Sequence, residues 1–298
     1  MLVIIKGAGD IASGIALRLK HSGFDVAMTE IAEPLAVRRT VAFSTAVYKG
    51  SARVEDVTAV LVRDDAQMRA AFARGQIAVF VDPAGDIVRR LTPAAVVDAI
   101  MAKKNTGVSI HDAPVVIAAG PGFTAGVDCH AVIETMRGHT LGRVITSGAA
   151  LPDTGIPGEV GGAAGERLLR CGADGIFQGM VEIGNNIKKG DIAAQVRQAP
   201  RKGQPPQDIP VYAQIDGIVR GLLPSGICVT RGMKAGDIDP RCERAHCFTV
   251  SDKALAIAGG VLEAILRFLR AIGSGDSVIR NLIVKVTRAD NEQKVLIQ

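Results

Sequence analysis

The sequence predicts an α/β protein in which a mainly parallel sheet is followed by a small duplicated β-barrel and a C-terminal helix. Three observations predict it. Short apolar runs of four to six residues alternate with helical segments over the first half of the chain, and the first of these runs enters a glycine-rich turn. A stretch of seventeen residues then recurs 42 residues later without a gap.

Leu2-Val-Ile-Ile5 is continuously apolar, as a strand buried on both faces requires. It runs into Gly7-Ala-Gly9-Asp10-Ile-Ala12-Ser-Gly14 and then a segment of helical periodicity that stops at Gly23. Strand, Gly-x-Gly-x-x-Ala turn and helix form a Rossmann-like phosphate turn. Gly7 makes the tight bend, Gly9 lets backbone approach a ligand, and Ala12 lies within the first helical turn, whose amides attract an anion. Residues 25–30 read as the second strand and end at Glu30, where a carboxylate would hold a ribose diol. Asp10 works against a pyrophosphate, because a negative charge at a helix start stabilises the empty terminus. A scaffold of this type without a dinucleotide is therefore the alternative.

Arg38 and Arg39, with Thr40 and Ser44, make either an anion clamp or a solvated turn. Residues 57–62 and 77–81 read as strands around a helix at 65–74, and Thr92-Pro93 reads as the start of a helix reaching Lys103-Lys104. The strand at 115–119 enters a second glycine turn, Gly120-Pro-Gly122-Phe, followed by Asp128-Cys129-His130 and Glu134. On a helix His130 and Glu134 would share a face; on a strand His130, Val132 and Glu134 would. Zinc-type spacing is absent, so no metal is assigned. Residues 141–146 read as a strand.

The repeated stretch is Asp174-Gly-Ile-Phe-Gln-Gly-Met-Val-Glu-Ile-Gly-Asn-Asn-Ile-Lys-Lys-Gly190, matched by Asp216 to Gly232 with six identities, four of them glycine. Each copy reads as short strands broken by glycine turns. It resembles the barrel-sandwich hybrid of biotinyl and lipoyl carrier domains. The linker between the copies places Lys202 in a Pro/Gln/Gly-rich loop and not on a hairpin, which favours a structural or docking barrel over a carrier. A Gly/Pro linker after residue 150 sets the boundaries: a nucleotide-binding part over 1–160, the barrel over 166–240, and a helix and strand over 241–298 packing on both. Ser251 caps the last helix, with Leu255, Ala258, Leu262 and Ile265 on one face. Cys247, beside His246 and just before that helix, is a candidate reactive thiolate.

Aromatic residues are 3% and Trp is absent, so a base-stacking surface for single-stranded nucleic acid is excluded. The net charge of +5 is spread thinly and suits a small anionic ligand better than a nucleic-acid groove. No apolar run is long enough to span a bilayer, and five cysteines without a Cys-x-x-Cys pair suggest a reduced, cytoplasmic protein.

The set Gly7-Ala-Gly-Asp-Ile-Ala-Ser-Gly14, Arg38-Arg-Thr-Val-Ala-Phe43, Gly120-Pro-Gly-Phe-Thr-Ala-Gly126, His130-Ala-Val-Ile-Glu-Thr135, Arg137-Gly-His139, Gly236-Asp-Ile-Asp-Pro-Arg241 and Ser251-Asp-Lys253 resembles the YqeB family of selenium-dependent molybdenum hydroxylase accessory proteins. The resemblance implies a maturation factor acting on the hydroxylase or its cofactor, with a molybdopterin dinucleotide on the first turn and Cys247 or Cys129 relaying selenium. Two alternatives stay open: an NAD(P)-dependent oxidoreductase with Glu30 on the cofactor and His130 as proton donor, and a non-catalytic adaptor docking on the hydroxylase. The sequence leaves homo-oligomerisation open.

Overall fold

The computed structural model describes residues 1–156, 158–200 and 205–274. Lys202 and the strand expected at 282–286 lie outside them.

In the first half of the chain β1 (Leu2–Lys6), α1 (Asp10–His21), β2 (Asp25–Glu30), α2 (Thr45–Lys49), β3 (Ser51–Val54), β4 (Val57–Leu61), α3 (Asp65–Ala73), β5 (Ile77–Val81), α4 (Ile87–Leu91), β6 (Ala95–Asp98) and β7 (Val115–Ala119) follow one another. Beyond them come β8 (Thr124–Ala125), β9 (Ala131–Ile133), β10 (Val144–Ile145) and β11 (Gly148–Ala149). Nine of these strands form one sheet, in the order β10-β9-β7-β6-β1-β2-β5-β4-β3. Only its outermost pairs, β3 with β4 and β10 with β9, are antiparallel. Strand order reverses at β1, which lies between β2 and β6, so the crevice at the carboxyl ends of β1 and β6 is the switch point of the sheet.

The helix expected from Thr92 to Lys104 is not formed. Thr92, at φ 42, terminates α4, and Ala95-Val-Val-Asp98 pairs in parallel with β1 on one side and β7 on the other. All four residues of β6 are buried, and a β-branched pair in a sheet interior packs better extended than helical.

The second half holds β12 (Leu168–Arg170), β13 (Gly175–Gly179), β14 (Asn186–Ile187), β15 (Ile192–Arg197), β16 (Asp208–Tyr212), β17 (Gly217–Leu222), β18 (Cys228–Val229) and β19 (Lys234–Asp239). They form two four-stranded sheets, β12-β19-β17-β14 and β16-β15-β13-β18, around a shared apolar core that includes Phe177, Val196, Val219 and Ile238. Gly175 and Gly217, Asn186 and Cys228, and Ile192 and Lys234 open corresponding strands at the repeat offset of 42 residues. Applied to every strand, that offset converts one sheet into the other. Each sheet therefore mixes strands of both copies, and the two sheets are structural equivalents.

The chain then returns to its first half. In α5 (Asp252–Ser274) the residues Ala254, Ile257, Val261, Ala264, Ile265 and Phe268 are buried with α1 on one face of the large sheet. The buried stripe is thus rotated from the expected one, and Leu255 is exposed. Gly260 explains the close approach: a Cβ there would stand 2.1 Å from the Gly142 carbonyl oxygen. Among the described residues no helix is long and apolar enough to cross a membrane.

Candidate functional site

At the switch point Gly7 has φ +95, and a Cβ on it would meet the Ala99 carbonyl oxygen at 3.0 Å, so the turn needs glycine for both conformation and space. Gly9 faces open space, and Ala12 is buried in α1. The Glu30 carboxylate folds onto this turn and accepts from the Ala8 N–H at 3.1 Å and the Ile31 N–H at 2.8 Å. Burial raises its pKa, and those two amides partly offset the rise. Glu30, Asp10 and Asp82 line a cavity of about 350 Å³ here. This crevice is acidic, a poor receptacle for a phosphate and a suitable one for hydroxyl groups.

Gly120 and Gly122 serve packing instead. A Cβ on Gly122 would lie 2.5 Å from the Lys104 backbone, and one on Gly120 would lie 2.9 Å from Thr135 Oγ1.

The expected arginine clamp is formed differently. Arg39 donates from Nε to the Leu222 carbonyl, and Arg38 donates from Nη2 to the carbonyls of His246 and Thr249. Together with the Leu222 N–H to Val37 carbonyl bond at 2.8 Å, they strap the duplicated unit to the large sheet. Arg38 also reaches Asp10 at 3.6 Å through Nη1, while its buried Nε has no partner.

The catalytic candidates are separated and enclosed. His130 lies before β9, at the amino edge of the sheet, whereas Gly120 and Gly7 are at the carboxyl edge. Its Nδ1 accepts from the Val116 N–H at 2.9 Å, and burial lowers its pKa to about 4, which keeps the ring neutral. Cys129 is buried and its thiol is pushed up to about 12 by burial and by Asp128. Cys247 is fully buried, and its pKa is raised by burial despite Arg38 nearby. Neither thiol has the exposure or the low pKa of a reactive cysteine, so both assignments as relays are corrected. Residues 131–133 form a strand, as one of the two readings of His130 and Glu134 required, but the Glu134 oxygens are taken by the backbone N–H groups of Thr135, Met136 and Leu151. Among the described residues no cluster of metal-binding side chains occurs.

What the fold brings together is a set of charges between the large sheet and the duplicated unit. A cavity of about 390 Å³ lies above the carboxyl ends of β6, β7 and β9 and shares Asp10, Ile11 and Met101 in its wall with the acidic crevice. Arg38, Lys103 and Arg137 line it from the sheet side, Arg167, Arg220 and Lys234 from the duplicated unit, and Lys253 from the start of α5. Against these seven cations stand Asp10, Asp153 and Asp237 in the lining, with Asp252 paired to Arg137 at 2.8 Å and Asp239 to Arg220 at 3.4 Å behind it. Asp237 Oδ2 accepts from Arg167 Nη1 at 2.8 Å and Arg220 Nη2 at 2.7 Å, and Lys103 pairs with Asp153 at 2.6 Å. Burial would raise the Asp237 pKa, but Arg220, Lys234 and Arg167 hold it below the ordinary carboxylate value. The Lys253 ammonium makes no hydrogen bond or ion pair among the described residues; burial and then Arg137 lower its pKa.

The internal repeat shows which of these charges the architecture does not need. At the positions of Arg220 and Asp237, the equivalent outward-facing sheet carries Gln178 and Gln195, and at the position of Arg167 it carries Ile209. Backbone differs there too. β13 and β15 pair without interruption from Ile176 to Gly179, whereas the register of β17 and β19 shifts between Val219 and Gly221, a bulge at Arg220. Bulges re-aim side chains and gather beside active sites. Gly236 replaces the Ala194 of the other copy, and a Cβ on it would stand 2.3 Å from the Gly221 carbonyl oxygen.

No protein-family model matches the chain. Over 268 residues it is 50% identical to an uncharacterised protein, YqeB of Escherichia coli (strain K12), covering 90% of this chain and 48% of that one. The chain is similar to YqeB. That identity supports the YqeB family name and carries no selenium or molybdenum role, and this chain spans about half the length of YqeB, the curated relative it matches. Similar solved structures include an aspartoacylase family protein of Mesorhizobium loti, with 13% identity, 80% of this chain and 84% of that one covered, and a TM-score of 0.29. Others are the ectoine utilization protein EutE of Ruegeria pomeroyi, at 13%, 72%, 57% and 0.23, and a succinylglutamate desuccinylase/aspartoacylase of Rhodobacter sphaeroides, at 11%, 72%, 57% and 0.23. At these scores they assign no activity to this chain. The maturation role implied by the family resemblance is corrected: YqeB is an uncharacterised protein whose similarity lends this chain no selenium or molybdenum role, and the two thiols assigned to a selenium relay are buried with raised pKa values.

Proposed function

We propose that the chain binds a small polyanionic molecule in the cleft between the large sheet and the duplicated unit. The observation that carries this reading is the broken equivalence of the two small sheets. The outer sheet builds the same fold with Gln178, Gln195 and Ile209, so Arg220, Asp237 and Arg167 are present for the cleft they face. Seven cations face three lining carboxylates and two more, Asp239 and Asp252, that pair with Arg220 and Arg137; the remaining excess of positive charge favours an anion, and guanidinium groups suit carboxylate or phosphate. On this reading a nucleotide would set its sugar hydroxyls in the acidic crevice and its phosphates among the cations of the neighbouring cavity; a nicotinamide dinucleotide is one member of that class.

The test is calorimetric titration of tripolyphosphate, ATP and NADH at low salt. Lys234→Gln and Lys253→Gln each remove from the cleft a cation without a salt-bridge partner, and each is expected to weaken polyanion binding roughly tenfold, the scale of a charge-assisted hydrogen bond. Lys188→Gln removes an exposed cation paired with Asp216 away from the cleft and serves as control. Equal weakening by all three would refute a specific site, as would the absence of binding.

A further inference from the structure

Among the described residues lining the cationic cleft there is no cysteine and no histidine, so the hydroxyl groups there have no imidazole to activate them. Amines are the remaining nucleophiles, and the three lysines differ in their surroundings. Lys103 pairs with Asp153 at 2.6 Å, and the strongest charge acting on Lys234 is the Asp237 carboxylate, which favours the ammonium. Lys253 has no such neighbour. Its side chain is half-buried, its nitrogen has no hydrogen bond or ion pair among the described residues, and the strongest charge acting on it is another cation, Arg137. It is also the second residue of α5, where the positive end of the helix dipole disfavours a further positive charge. Asp10, Glu134 and Asp153 act in the opposite sense, each more weakly than Arg137. A guanidinium keeps its proton, so a desolvated amine beside it more readily gives up its own and becomes nucleophilic.

We propose that Lys253 is a nucleophile of this cleft, and that its amine condenses with an aldehyde or ketone carbonyl carried by an anionic ligand. The inference rests on the polyanion reading and narrows the ligand to anions that hold a carbonyl, such as oxo acids or phosphorylated aldehydes. The Nζ lone pair forms the bond to the carbonyl carbon, and the carbonyl oxygen takes up a proton to give a carbinolamine. Loss of the nitrogen proton and of that oxygen as water leaves the C=N bond of an imine. The step needs no oxidant or reductant.

Reductive trapping tests this. The full chain is incubated with glyoxylate, pyruvate or glyceraldehyde 3-phosphate, or with neutral glycolaldehyde, in the presence of cyanoborohydride, and the adduct is located by peptide mass mapping. Binding of tripolyphosphate is measured alongside. At least one anionic probe should label Lys253 roughly tenfold above the exposed Lys188, and excess tripolyphosphate should cut that labelling roughly tenfold. Lys253→Arg keeps the charge, removes the nucleophile and should lose the adduct; if that variant does not fold, the map of the unaltered protein decides. Tripolyphosphate binding without preferential labelling of Lys253, or equal labelling by glycolaldehyde, would overturn the inference and leave the polyanion reading intact. Labelling that tripolyphosphate does not reduce would put the reactive amine outside the anion site and also overturn it. Failure of tripolyphosphate to bind and of every probe to label Lys253 would overturn both.

Discussion

Between pH 7 and pH 5 acid should weaken this protein chiefly through one ring, His130, while the paired carboxylates Asp237, Asp239 and Asp252, held below their ordinary pKa, add to the loss at lower pH. The imidazole is 6% exposed and its Nδ1 takes the Val116 N–H, so the folded protein binds a proton there only near pH 4, against 6.5 for the free side chain. Between those values the unfolded chain holds a proton that the folded chain refuses. Stability is therefore full above pH 6.5 and declines as pH falls towards 4. The whole interval is worth about 3 kcal/mol, and the step from pH 7 to pH 5 alone about 2 kcal/mol. Raised carboxylates such as Glu30 and Asp98 act in the opposite sense, because acid protonates them more readily in the folded state. A comparison with His130→Asn isolates the ring, since the Asn Oδ1 can still accept from Val116 and does not titrate, although the contact with Phe268 at 5.6 Å is lost. Urea unfolding followed by circular dichroism at pH 7.5 and pH 5 should show about 2 kcal/mol more acid loss in the unaltered protein than in the variant. Equal losses in the two proteins would refute the assignment of a neutral, proton-refusing His130.

The adjacent glycines of α5 should respond with opposite sign: Gly259→Ala meets nothing within 4 Å and should gain about 1 kcal/mol of helix propensity, whereas Gly260→Ala drives a Cβ into the Gly142 carbonyl and should lose about 1–3 kcal/mol, both read as shifts of the thermal midpoint. Thiol labelling of the native protein should modify Cys228 and Cys242 rapidly, with Cys129, Cys171 and Cys247 reacting only after unfolding. Asp237→Gln alone leaves Arg167 and Arg220 without their shared carboxylate and should cost about 3 kcal/mol, while the double variant Arg220→Gln, Asp237→Gln, which copies the outer sheet and leaves net charge unchanged, should be more stable than that single variant.

Much of the fold was legible because local and global preferences agree. The apolar runs at β1, β5 and β7 are too short for helices and lie between glycine-rich turns or polar breaks, and the repeat offset of 42 residues fixed the equivalence of the small sheets before any contact was known. β6 was misread because Thr92-Pro93 imitates a helix start, and only its neighbours β1 and β7 reveal a strand. The site was partly visible without its meaning. Arg137, Asp237 and Lys253 stand in motifs already singled out, Arg137-Gly-His139, Gly236-Asp-Ile-Asp-Pro-Arg241 and Ser251-Asp-Lys253, but these segments are far apart in sequence and converge only through the return of α5 to the large sheet. Arg167 and Arg220 carried no such mark. Aligning the two copies and asking where charge replaces glutamine would have found Arg220.

The first glycine turn attracted the phosphate assignment, yet its electrostatics argue for another division of labour. Asp10 occupies the first turn of α1, and Glu30 already accepts from the amide of Ala8 within the glycine turn. A phosphate placed there would meet two carboxylates before it met a cation. Arg38 lies 3.6 Å from Asp10, at the junction where the acidic crevice and the cationic cleft share a wall. An extended ligand crossing that junction would leave its hydroxyl-rich part against the acids and carry its charge towards Arg167, Arg220, Lys234 and Lys253. The strand-turn-helix unit then supplies the floor and one wall of the site, and the charged copy of the repeat supplies the recognition. On the proposed reading the duplicated unit is part of the binding site itself, which explains why its inner sheet departs from its outer one at the residues facing the cleft and keeps the same apolar core throughout.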